Sequence, residues 1–396
     1  NTALLSDYFV KSTKKNSDGM ISNVICNSAK QGLIPQREYF DKDIANSDNT
    51  NGYYIIESND FVYNPRKSAD APYGPISSYQ YPEAGIVSPL YLCFRAKREI
   101  NPLYFEWYFR SSAWHRYIYM SGDSGARHDR VSIKDDVFFA MPINVPSAKE
   151  QERISLFLDA IERRIETQRT LVETLKKYKR GLSDTLFDRI AQSPSCKIVK
   201  LGDAFELLQN NTFSRDDLTT NPSSVQNIHY GDVLVKYGAV VNISEDTPPY
   251  IKPTIDLQKF VATSYLRDGD IVFADTAEDY SVGKATEIAG ANGLAVLSGL
   301  HTIPCRPLMK FHPMYLAYYF NSSLFRRQIY PLVQGTKVSS ISKGELVKTS
   351  VYAPTEREQR RIASMLYLLD LRITFEEKTV NSLTNARTAL LQQLFI

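Results

Sequence analysis

The sequence predicts an α+β protein in which two globular α/β domains are separated by two long helices that form an intramolecular antiparallel coiled coil with pseudo-twofold symmetry. Three observations predict this architecture. The chain contains an internal repeat, each copy carries an apolar seam of coiled-coil period, and short β-rich runs between turn residues precede each seam. The length of 396 residues is enough for more than one domain with its own core.

The internal repeat is read directly from the sequence. Residues 141–187 align with residues 349–395 at a constant offset of 208 without a gap, and 13 of the 47 positions are identical. The similarity continues upstream, where Pro102–Phe109 resembles Pro313–Phe320. A duplication of this extent predicts that one structural unit is used twice.

Each globular segment combines β-rich runs with a helix. Apolar runs bounded by turn residues, such as Gly52–Glu57, Asp232–Val235 and Asp270–Ala274, predict strands. Helices are predicted at Pro102–Tyr119 and Pro313–Tyr330, because proline is tolerated in the first turn of a helix. The predicted boundaries are 1–147 for the first globular domain, 148–192 for the first long helix, 197–354 for the second globular domain and 355–396 for the second long helix.

An apolar seam runs along each long helix in alternating steps of four and three residues. It extends from Ile154 to Leu186 in the first helix and from Ile362 to Leu394 in the second. Eight of the ten seam positions are apolar in each helix, and this sustained 3.5-residue period is typical of a coiled coil. The polar exceptions occupy the same two positions in both seams, and they are Gln168 and Lys179 in the first, Glu376 and Arg387 in the second.

These polar seam residues predict the direction of the pairing. A parallel pairing would place Lys179 against Arg387, and like charges repel each other. An antiparallel pairing can place Lys179 opposite Glu376 and Gln168 opposite Arg387, so we predict that these four residues fix an antiparallel register. The alternative is that each helix packs only on its own domain, which the sustained period disfavours.

Composition and charge narrow the classes of function. The net charge is only +3, and each globular segment has equal numbers of basic and acidic residues, so the overall attraction to nucleic acid is weak and any contact must be local. No apolar run is long enough to span a membrane, so no membrane partner is expected. The four cysteines lie far apart, which fits free thiols in a reducing cytoplasm and predicts no metal site.

No catalytic signature is complete. Thr247–Tyr250 resembles the (Asn/Asp)-Pro-Pro-Tyr loop of adenine methyltransferases, but threonine replaces the amide or carboxylate and no glycine-rich loop for S-adenosylmethionine follows a strand. Gly283 and Lys284 lack the upstream glycine of a phosphate-binding loop. We therefore predict no catalytic residues and interpret the chain as a binding protein.

Basic and polar residues are bunched in loops of both globular segments. Arginine and lysine neutralise phosphates or read guanine, asparagine and glutamine read adenine, and hydroxyl groups fix the position of a backbone, so such loops suit duplex DNA. A solvated, charge-balanced surface is the alternative interpretation of any single cluster. The predicted DNA-binding residues are Lys11, Thr13, Lys14, Lys15, Arg66, Lys67, Arg127 and Arg130 in the first segment and Asn210, Asn211, Lys236, Tyr237, Lys284, Thr336 and Lys337 in the second.

The motifs of the long helices resemble those of a known family. Each helix opens with Pro-x-x-x-Glu-Gln-x-Arg-Ile, at Pro146–Ile154 and at Pro354–Ile362, and the second ends with Leu-Leu-Gln-Gln-Leu-Phe at Leu390–Phe395. Each globular segment begins with Leu-(Gly/Ser)-Asp-x-Phe. Across essentially the whole chain, these features resemble the specificity (S) subunit of type I restriction–modification systems. The second helix departs slightly from the common pattern at this end, because the first helix carries Leu-Ser-Asp-Thr-Leu-Phe where the second has Leu-Leu-Gln-Gln-Leu-Phe.

The resemblance implies a non-catalytic subunit with two target recognition domains, each of which reads one half of a bipartite site in double-stranded DNA. It implies that two modification subunits dock along the spacer helices, bring S-adenosylmethionine and methylate adenine, so no cofactor is expected on this chain. Restriction subunits with translocase and nuclease activity would join them. Two alternatives stay open: a specificity module related to type II adenine methyltransferases or nucleases, and a coiled-coil adaptor that does not bind DNA.

Overall fold

The computed structural model describes residues 2–39, 50–122, 129–335 and 337–395. The chain divides into two compact units, of which the first comprises Asn1–Thr170 with Lys378–Ile396 and the second comprises Leu171–Glu377. Each unit therefore combines one globular domain with a segment of each long helix. In the described ranges, no helix is both long enough and apolar enough to cross a membrane.

The first unit contains a four-stranded antiparallel sheet and three two-stranded sheets. Its strands are β1 (Thr2–Leu4), β2 (Phe9–Ser12), β3 (Ile25–Ser28), β4 (Gly32–Pro35), β5 (Tyr54–Ile56), β6 (Phe61–Tyr63), β7 (Ile76–Ser78), β8 (Gly85–Val87), β9 (Leu92–Ala96) and β10 (Pro142–Asn144). Its helices are α1 (Leu5–Tyr8), α2 (Gln36–Tyr39), α3 (Pro102–Arg110), α4 (His115–Ser121), α5 (Asp135–Phe139) and the first part of α6 (Ala148–Gln192). The large sheet has the strand order β2-β9-β6-β7, and the pairs are β1-β10, β3-β4 and β5-β8.

The second unit has larger, mixed sheets. Its strands are β11 (Lys197–Lys200), β12 (Phe205–Leu207), β13 (Leu218–Thr219), β14 (Gln226–Ile228), β15 (Val240–Asn242), β16 (Tyr250–Ile251), β17 (Ile271–Ala274), β18 (Thr276–Ala277), β19 (Ala285–Ala289), β20 (Val296–Ser298), β21 (Thr302–Pro307), β22 (Ser339–Ser340) and β23 (Ser350–Ala353). Its helices are α7 (Leu201–Ala204), α8 (Tyr230–Val235), α9 (Ile243–Asp246), α10 (Tyr315–Phe320), α11 (Ser323–Ile329), α12 (Lys343–Leu346) and the first part of α13 (Glu356–Leu394), with 3-10 turns at Arg215–Asp217, Ala262–Ser264 and Tyr330–Leu332. The sheets have the orders β12-β21-β17-β19-β15 and β13-β16-β14-β20, with the pairs β11-β23 and β18-β22.

The first strand of each repeat closes its globular domain in the same way. In the first unit β1 pairs antiparallel with β10, and in the second unit β11 pairs antiparallel with β23. In both cases the partner is the last strand before a long helix. The start of each domain is thereby joined to the start of the helix that follows it.

Two local predictions were wrong. The single helices predicted at Pro102–Tyr119 and Pro313–Tyr330 are each two helices, α3 with α4 and α10 with α11. A buried serine interrupts each, because the Ser111 hydroxyl donates to the Tyr108 carbonyl at 2.6 Å and the Ser322 hydroxyl to the Tyr319 carbonyl at 2.6 Å, in competition with the helical backbone pattern.

The second error concerns Asp232–Val235, which was predicted as a strand and lies in α8. The ring Nδ1 of His229 accepts a hydrogen bond from the Gly231 amide at 3.1 Å and so caps the start of this helix. Histidine is not among the common capping residues, which explains why the pattern alone pointed to a strand.

Both long helices begin with the same capping arrangement. In α6, the Ser147 hydroxyl and amide donate to Glu150 at 2.7 and 3.0 Å, and in α13 Thr355 and Glu358 repeat this geometry at the same two distances. The following glutamines donate to the carbonyls of the motif prolines at 2.9 Å in both copies. The duplicated Pro-x-x-x-Glu-Gln motif therefore caps the N-terminus of each long helix.

The seam prediction is confirmed by burial, since every seam residue is buried or half-buried except Leu394. The helices pair antiparallel in each unit, but the partners predicted for Lys179 and Arg387 were wrong. Lys179 bonds to Asp370, and Arg387 donates to Glu162, while the Glu376 carboxylate pairs with Arg372 on its own helix. Gln168 is buried.

The physical reason lies in the length of the cationic side chains. Asp370 and Glu162 flank the seam, so Lys179 and Arg387 reach outward and keep their charged groups partly exposed instead of burying them in the apolar seam. The two pairs are equivalent under the offset of 208, so the same contact stabilises the helix segments of each unit.

The last phenylalanine of each repeat anchors its helix to aromatic side chains. In the first unit Phe395 lies against Tyr104 and Tyr108, with ring centroids 5.5 and 5.9 Å apart. In the second unit Phe187 lies against the rings of Tyr315 and Tyr319, at 6.1 and 5.9 Å. The helix that follows one globular domain thus ends in the core of the unit that contains the other.

Each globular core also contains a bidentate ion pair at an equivalent position. Arg95 donates to Asp60 at 2.6 Å from two nitrogens, and Arg306 donates to Asp270 at 2.9 and 2.7 Å. Both aspartates are almost completely buried. Their second role is to accept a backbone amide of the preceding turn, which fixes the entry into β6 and β17.

We expect the substitution Asp270→Asn to lower the free energy of unfolding by about 3 kcal/mol, because it leaves a largely buried guanidinium without its counter-charge. Urea unfolding followed by circular dichroism measures the change. The control is Glu345→Gln, which removes a more exposed pair with Lys348 and should cost less than about 1 kcal/mol. Equal losses in the two variants would contradict a structural role for the buried pair.

Candidate nucleic-acid interface

The first unit contains a basic cleft of about 800 Å³. It brings together three residues that the sequence analysis selected, Arg66, Lys67 and Arg130, although Arg130 is more than sixty positions from the other two in the chain. Backbone pairing explains the proximity, because Arg66 and Arg130 form an isolated antiparallel bridge and the Lys67 amide donates to the Asp129 carbonyl at 2.8 Å. The cleft is therefore held by main-chain bonds, which leaves the side chains available for other contacts.

The electrostatics of the cleft favour an anionic or hydrogen-bond-accepting ligand. The Nε atom of Arg130 is buried and has no hydrogen-bond partner among the described residues, so a donor is left without an acceptor. The acidic residue that lines the cleft, Asp70, lies 3.5 Å from Lys30, whose side chain is exposed. Arg66 is exposed and Lys67 is half-buried, and neither has an ion-pair partner in the described part of the chain.

Lys30 and Gln31 are among the cleft residues that the sequence analysis missed. They occupy the turn between β3 and β4, and this turn closes with Gly32 at a φ of 70°. A single lysine next to an amide is a weak signal in a sequence, because its neighbours along the chain are uncharged. The tertiary fold supplies the charge density that the local sequence lacks.

Four other predicted residues of the first unit, Lys11, Thr13, Lys14 and Lys15, lie at the end of β2 and in the loop that follows it. Lys11 is paired with Asp135 at 2.5 Å, and Lys14 lies 3.8 Å from Glu57. Thr13 and Lys15 are exposed. The buried Asn16 side chain fixes this loop through two hydrogen bonds to Ile21, at 2.8 and 3.1 Å. Arg127 lies outside the described residues.

Three of the residues predicted in the second unit have internal roles. Asn211 is 1% exposed and donates to Asn227 at 2.6 Å, and the Tyr237 side chain is buried in an apolar cluster. The Lys284 ammonium donates to the carbonyls of Leu234 at 2.9 Å and Tyr237 at 3.1 Å, and burial lowers its pKa. A ligand on the surface therefore does not reach Asn211 or Tyr237 in this conformation.

Three other predicted residues of the second unit, Asn210, Lys236 and Lys337, are accessible. Asn210 is half-buried and accepts a hydrogen bond from the Lys343 ammonium at 3.1 Å, which adds a cation that the sequence analysis did not select. Lys236 is exposed, with its ammonium 5.5 Å from the ring centroid of Tyr237, and Lys337 is exposed. Thr336 lies outside the described residues.

A polar network beside α8 was not predicted. The Arg215 guanidinium donates to Asp232 at 2.8 and 3.0 Å and lies 3.2 Å from the Nδ1 atom of His229. Burial and the charge of Arg215 lower the pKa of His229, which favours the neutral ring that caps α8. Within the described ranges, no three His, Cys, Asp or Glu side chains are placed to hold a metal ion.

The duplicated domains, the antiparallel helices and the basic cleft define a class of two-domain α+β proteins with a helical spacer. No protein-family model matches the sequence, and no curated protein matches it at significant similarity. Solved structures do match. The chain is similar to a chain from a structure of the complex assembly and conformational transition of the type I restriction–modification system, with a TM-score of 0.60, 16% identity, and coverage of 99% of this chain and 96% of that chain.

Two further structures have the same fold. The HsdS subunit from Thermoanaerobacter tengcongensis matches with a TM-score of 0.53 and 17% identity, and the type I restriction–modification S subunit from M. genitalium with a TM-score of 0.53 and 14% identity. Each match covers 100% of this chain and 96% of that chain. The fold of this protein is therefore that of a type I S subunit, which confirms at the level of fold the resemblance seen in the helix motifs.

Proposed function

We propose that this chain is the specificity subunit of a type I restriction–modification complex and that each globular domain reads one half of a bipartite DNA site. The supporting observation is that the fold matches type I S subunits over nearly the whole length of both chains. The duplication adds weight, because two related but different domains suit two different half-sites.

In this proposal the first domain contacts DNA through the basic cleft. Arg66, Lys67 and Arg130 can neutralise phosphates, and a guanidinium can also read the O6 and N7 atoms of guanine. The loop residues Thr13 and Lys15 extend the contact surface, because both are exposed. In the second domain the contact surface includes Lys236 and the other accessible residues, and excludes the buried Asn211 and Tyr237.

The long helices have two roles in the proposal. They set the distance between the half-sites, and their exposed faces dock two modification subunits that bind S-adenosylmethionine and methylate adenine. Restriction subunits join this core. The exposed apolar residues of α13, among them Leu368, Leu371 and Phe375, follow the spacing of one helix face and suit such a contact.

Methylome sequencing of a host that expresses this chain with its modification subunits tests the proposal. The expected result is methylated adenine in a motif of two specified segments separated by unspecified bases, and loss of this motif when this chain is omitted. The isolated chain should not bind S-adenosylmethionine, and addition of the modification subunits should restore binding. Binding by the isolated chain would support a methyltransferase module instead, and a complex without a DNA footprint would support an adaptor.

A further inference from the structure

A second pocket of about 630 Å³ lies within the second unit, between the α6 segment and the helix pair α10 and α11. Its lining carries five basic side chains and one acidic side chain, namely Lys179, Arg180, Lys284, Arg326, Arg327 and Asp184. A concave surface with this excess of positive charge concentrates the electrostatic potential in the pocket.

Two of the five cations are already neutralised. Lys179 is bonded to Asp370, and Arg327 donates to Asp188 at 2.7 Å. Arg180 is exposed and has no ion-pair partner in the described part of the chain. It lines the pocket together with Lys179 and Asp184 of the same helix.

The other two cations donate only to main-chain carbonyls. Lys284 bonds to the carbonyls of Leu234 and Tyr237, and Arg326 bonds to those of Val282, at 2.7 Å, and Tyr280. Neither has a carboxylate within 4 Å among the described residues. Carbonyls orient these groups without cancelling their charge. The charge of Arg326 helps to lower the pKa of the Asp279 carboxyl and is therefore partly balanced. Lys284 is half-buried and shows only the effect of burial, and a half-buried cation without a counter-charge is unfavourable.

A hydroxyl group completes the polar lining. The Ser323 oxygen is buried, lines the pocket and has no hydrogen-bond partner among the described residues. An anion in the pocket would accept from this hydroxyl and from the free donors of Lys284 and Arg180. It would also offset the burial that lowers the pKa of Lys284.

The first unit shows that this excess of charge is not a general consequence of the fold. A smaller pocket of about 270 Å³ lies there, with Arg387 and Arg110 among its lining residues. Arg387 is bonded to Glu162, and Arg110 donates to Glu106 at 2.8 Å. Both arginines of the first pocket therefore have bonded carboxylate partners, whereas Arg180, Lys284 and Arg326 have no carboxylate within 4 Å in the described ranges.

We propose that the pocket of the second unit binds a nucleotide through its phosphate. Phosphate offers more charge and more acceptor oxygens than a carboxylate, which suits the convergent guanidinium, ammonium and hydroxyl donors. The volume is in the range of small-molecule sites and exceeds what a phosphate needs, and Tyr318 and Tyr330 are among the lining residues. A base or sugar of the same nucleotide packs there.

The proposal does not depend on the proposed function, because a nucleotide phosphate has two sources: a free nucleotide or a nucleotide within DNA.

The test uses the full-length chain and measures the melting temperature during titration with deoxyadenosine monophosphate and, separately, inorganic tripolyphosphate. Sodium chloride holds the ionic strength constant. We expect both ligands to raise the melting temperature in a saturable way, as a ligand that binds only the folded state must.

The variants Arg180→Ser and Ser323→Ala are each expected to weaken binding of both phosphate ligands about tenfold. Neither side chain has a hydrogen bond within the described residues, so the melting temperature without ligand should be unchanged. The matched control is Lys177→Ser, which removes one exposed cation of the same helix segment outside the pocket. Equal affinities in wild type, Arg180→Ser and Lys177→Ser would overturn the proposal, as would the absence of any saturable shift.

A further experiment with a short DNA duplex decides whether the bound phosphate belongs to a free nucleotide or to DNA. If the phosphate belongs to DNA, Arg180→Ser weakens duplex binding and lowers its salt dependence, and the monophosphate competes with the duplex. If the phosphate belongs to a free nucleotide, the variant loses monophosphate binding while duplex binding is unchanged. A complex that recognises no DNA but retains the phosphate site would contradict the proposed function and leave this inference standing.

Discussion

Insertion of one heptad into both long helices, after Thr170 in α6 and after Glu377 in α13, is expected to lengthen the unspecified gap of the recognised DNA site by about three base pairs. Seven helical residues add roughly 10 Å, and duplex DNA rises about 3.4 Å per base pair. A heptad preserves the apolar seam, so the paired helices remain in phase. Methylome sequencing reports the gap directly.

The insertion points divide each helix where the two compact units meet along the chain. The contacts Lys179–Asp370 and Arg387–Glu162 lie within separate units, so both are retained in the variant. The matched controls are a heptad in α6 alone and a four-residue insertion in both helices, which each break the seam and should abolish methylation. An unchanged gap in the double-heptad variant would contradict the role of the helices as a spacer.

The long helices were the part of the fold that the sequence predicted best. A seam of ten positions repeated at a fixed offset is a long signal, and its burial follows from the apolar period alone. The partners of Lys179 and Arg387 were not predictable from the seam, because Asp370 and Glu162 lie beside it. A long, flexible cationic side chain can extend to a carboxylate beside the seam, and a sequence pattern does not show which carboxylate lies within its length.

The globular domains were predicted less well, because their contacts are non-local. The mixed sheets of the second unit join strands that are far apart in the sequence, such as β12 and β21, and no local pattern specifies such pairs. The same limit applies to the candidate site. Arg66 and Arg130 meet through a backbone bridge between distant segments. Asn211 lies in a polar stretch that is typical of an exposed DNA-contacting loop, but its side chain is buried.

Removal of the three charges of the first-unit cleft, by Arg66→Gln, Lys67→Gln and Arg130→Gln together, is expected to weaken binding of the assembled methyltransferase to its DNA site on the order of 100-fold or more. Each lost phosphate contact also reduces by about one the slope of log affinity against log salt. The fold should tolerate the change, because main-chain bonds such as that from the Lys67 amide to the Asp129 carbonyl hold the cleft together.

Fluorescence anisotropy with a labelled duplex at several salt concentrations measures both quantities. The matched control is Lys97→Gln, which removes an exposed cation of the same unit that does not line the cleft and should leave the affinity and its salt dependence unchanged.

If the three side chains contact only phosphates, the methylated motif is the same in the variant and is methylated at fewer sites. If one of them reads a base, the first half of the motif becomes relaxed at that position. Wild-type affinity and salt dependence in the triple variant would exclude the cleft as a DNA contact, because three phosphate contacts cannot be lost without a change in counterion release.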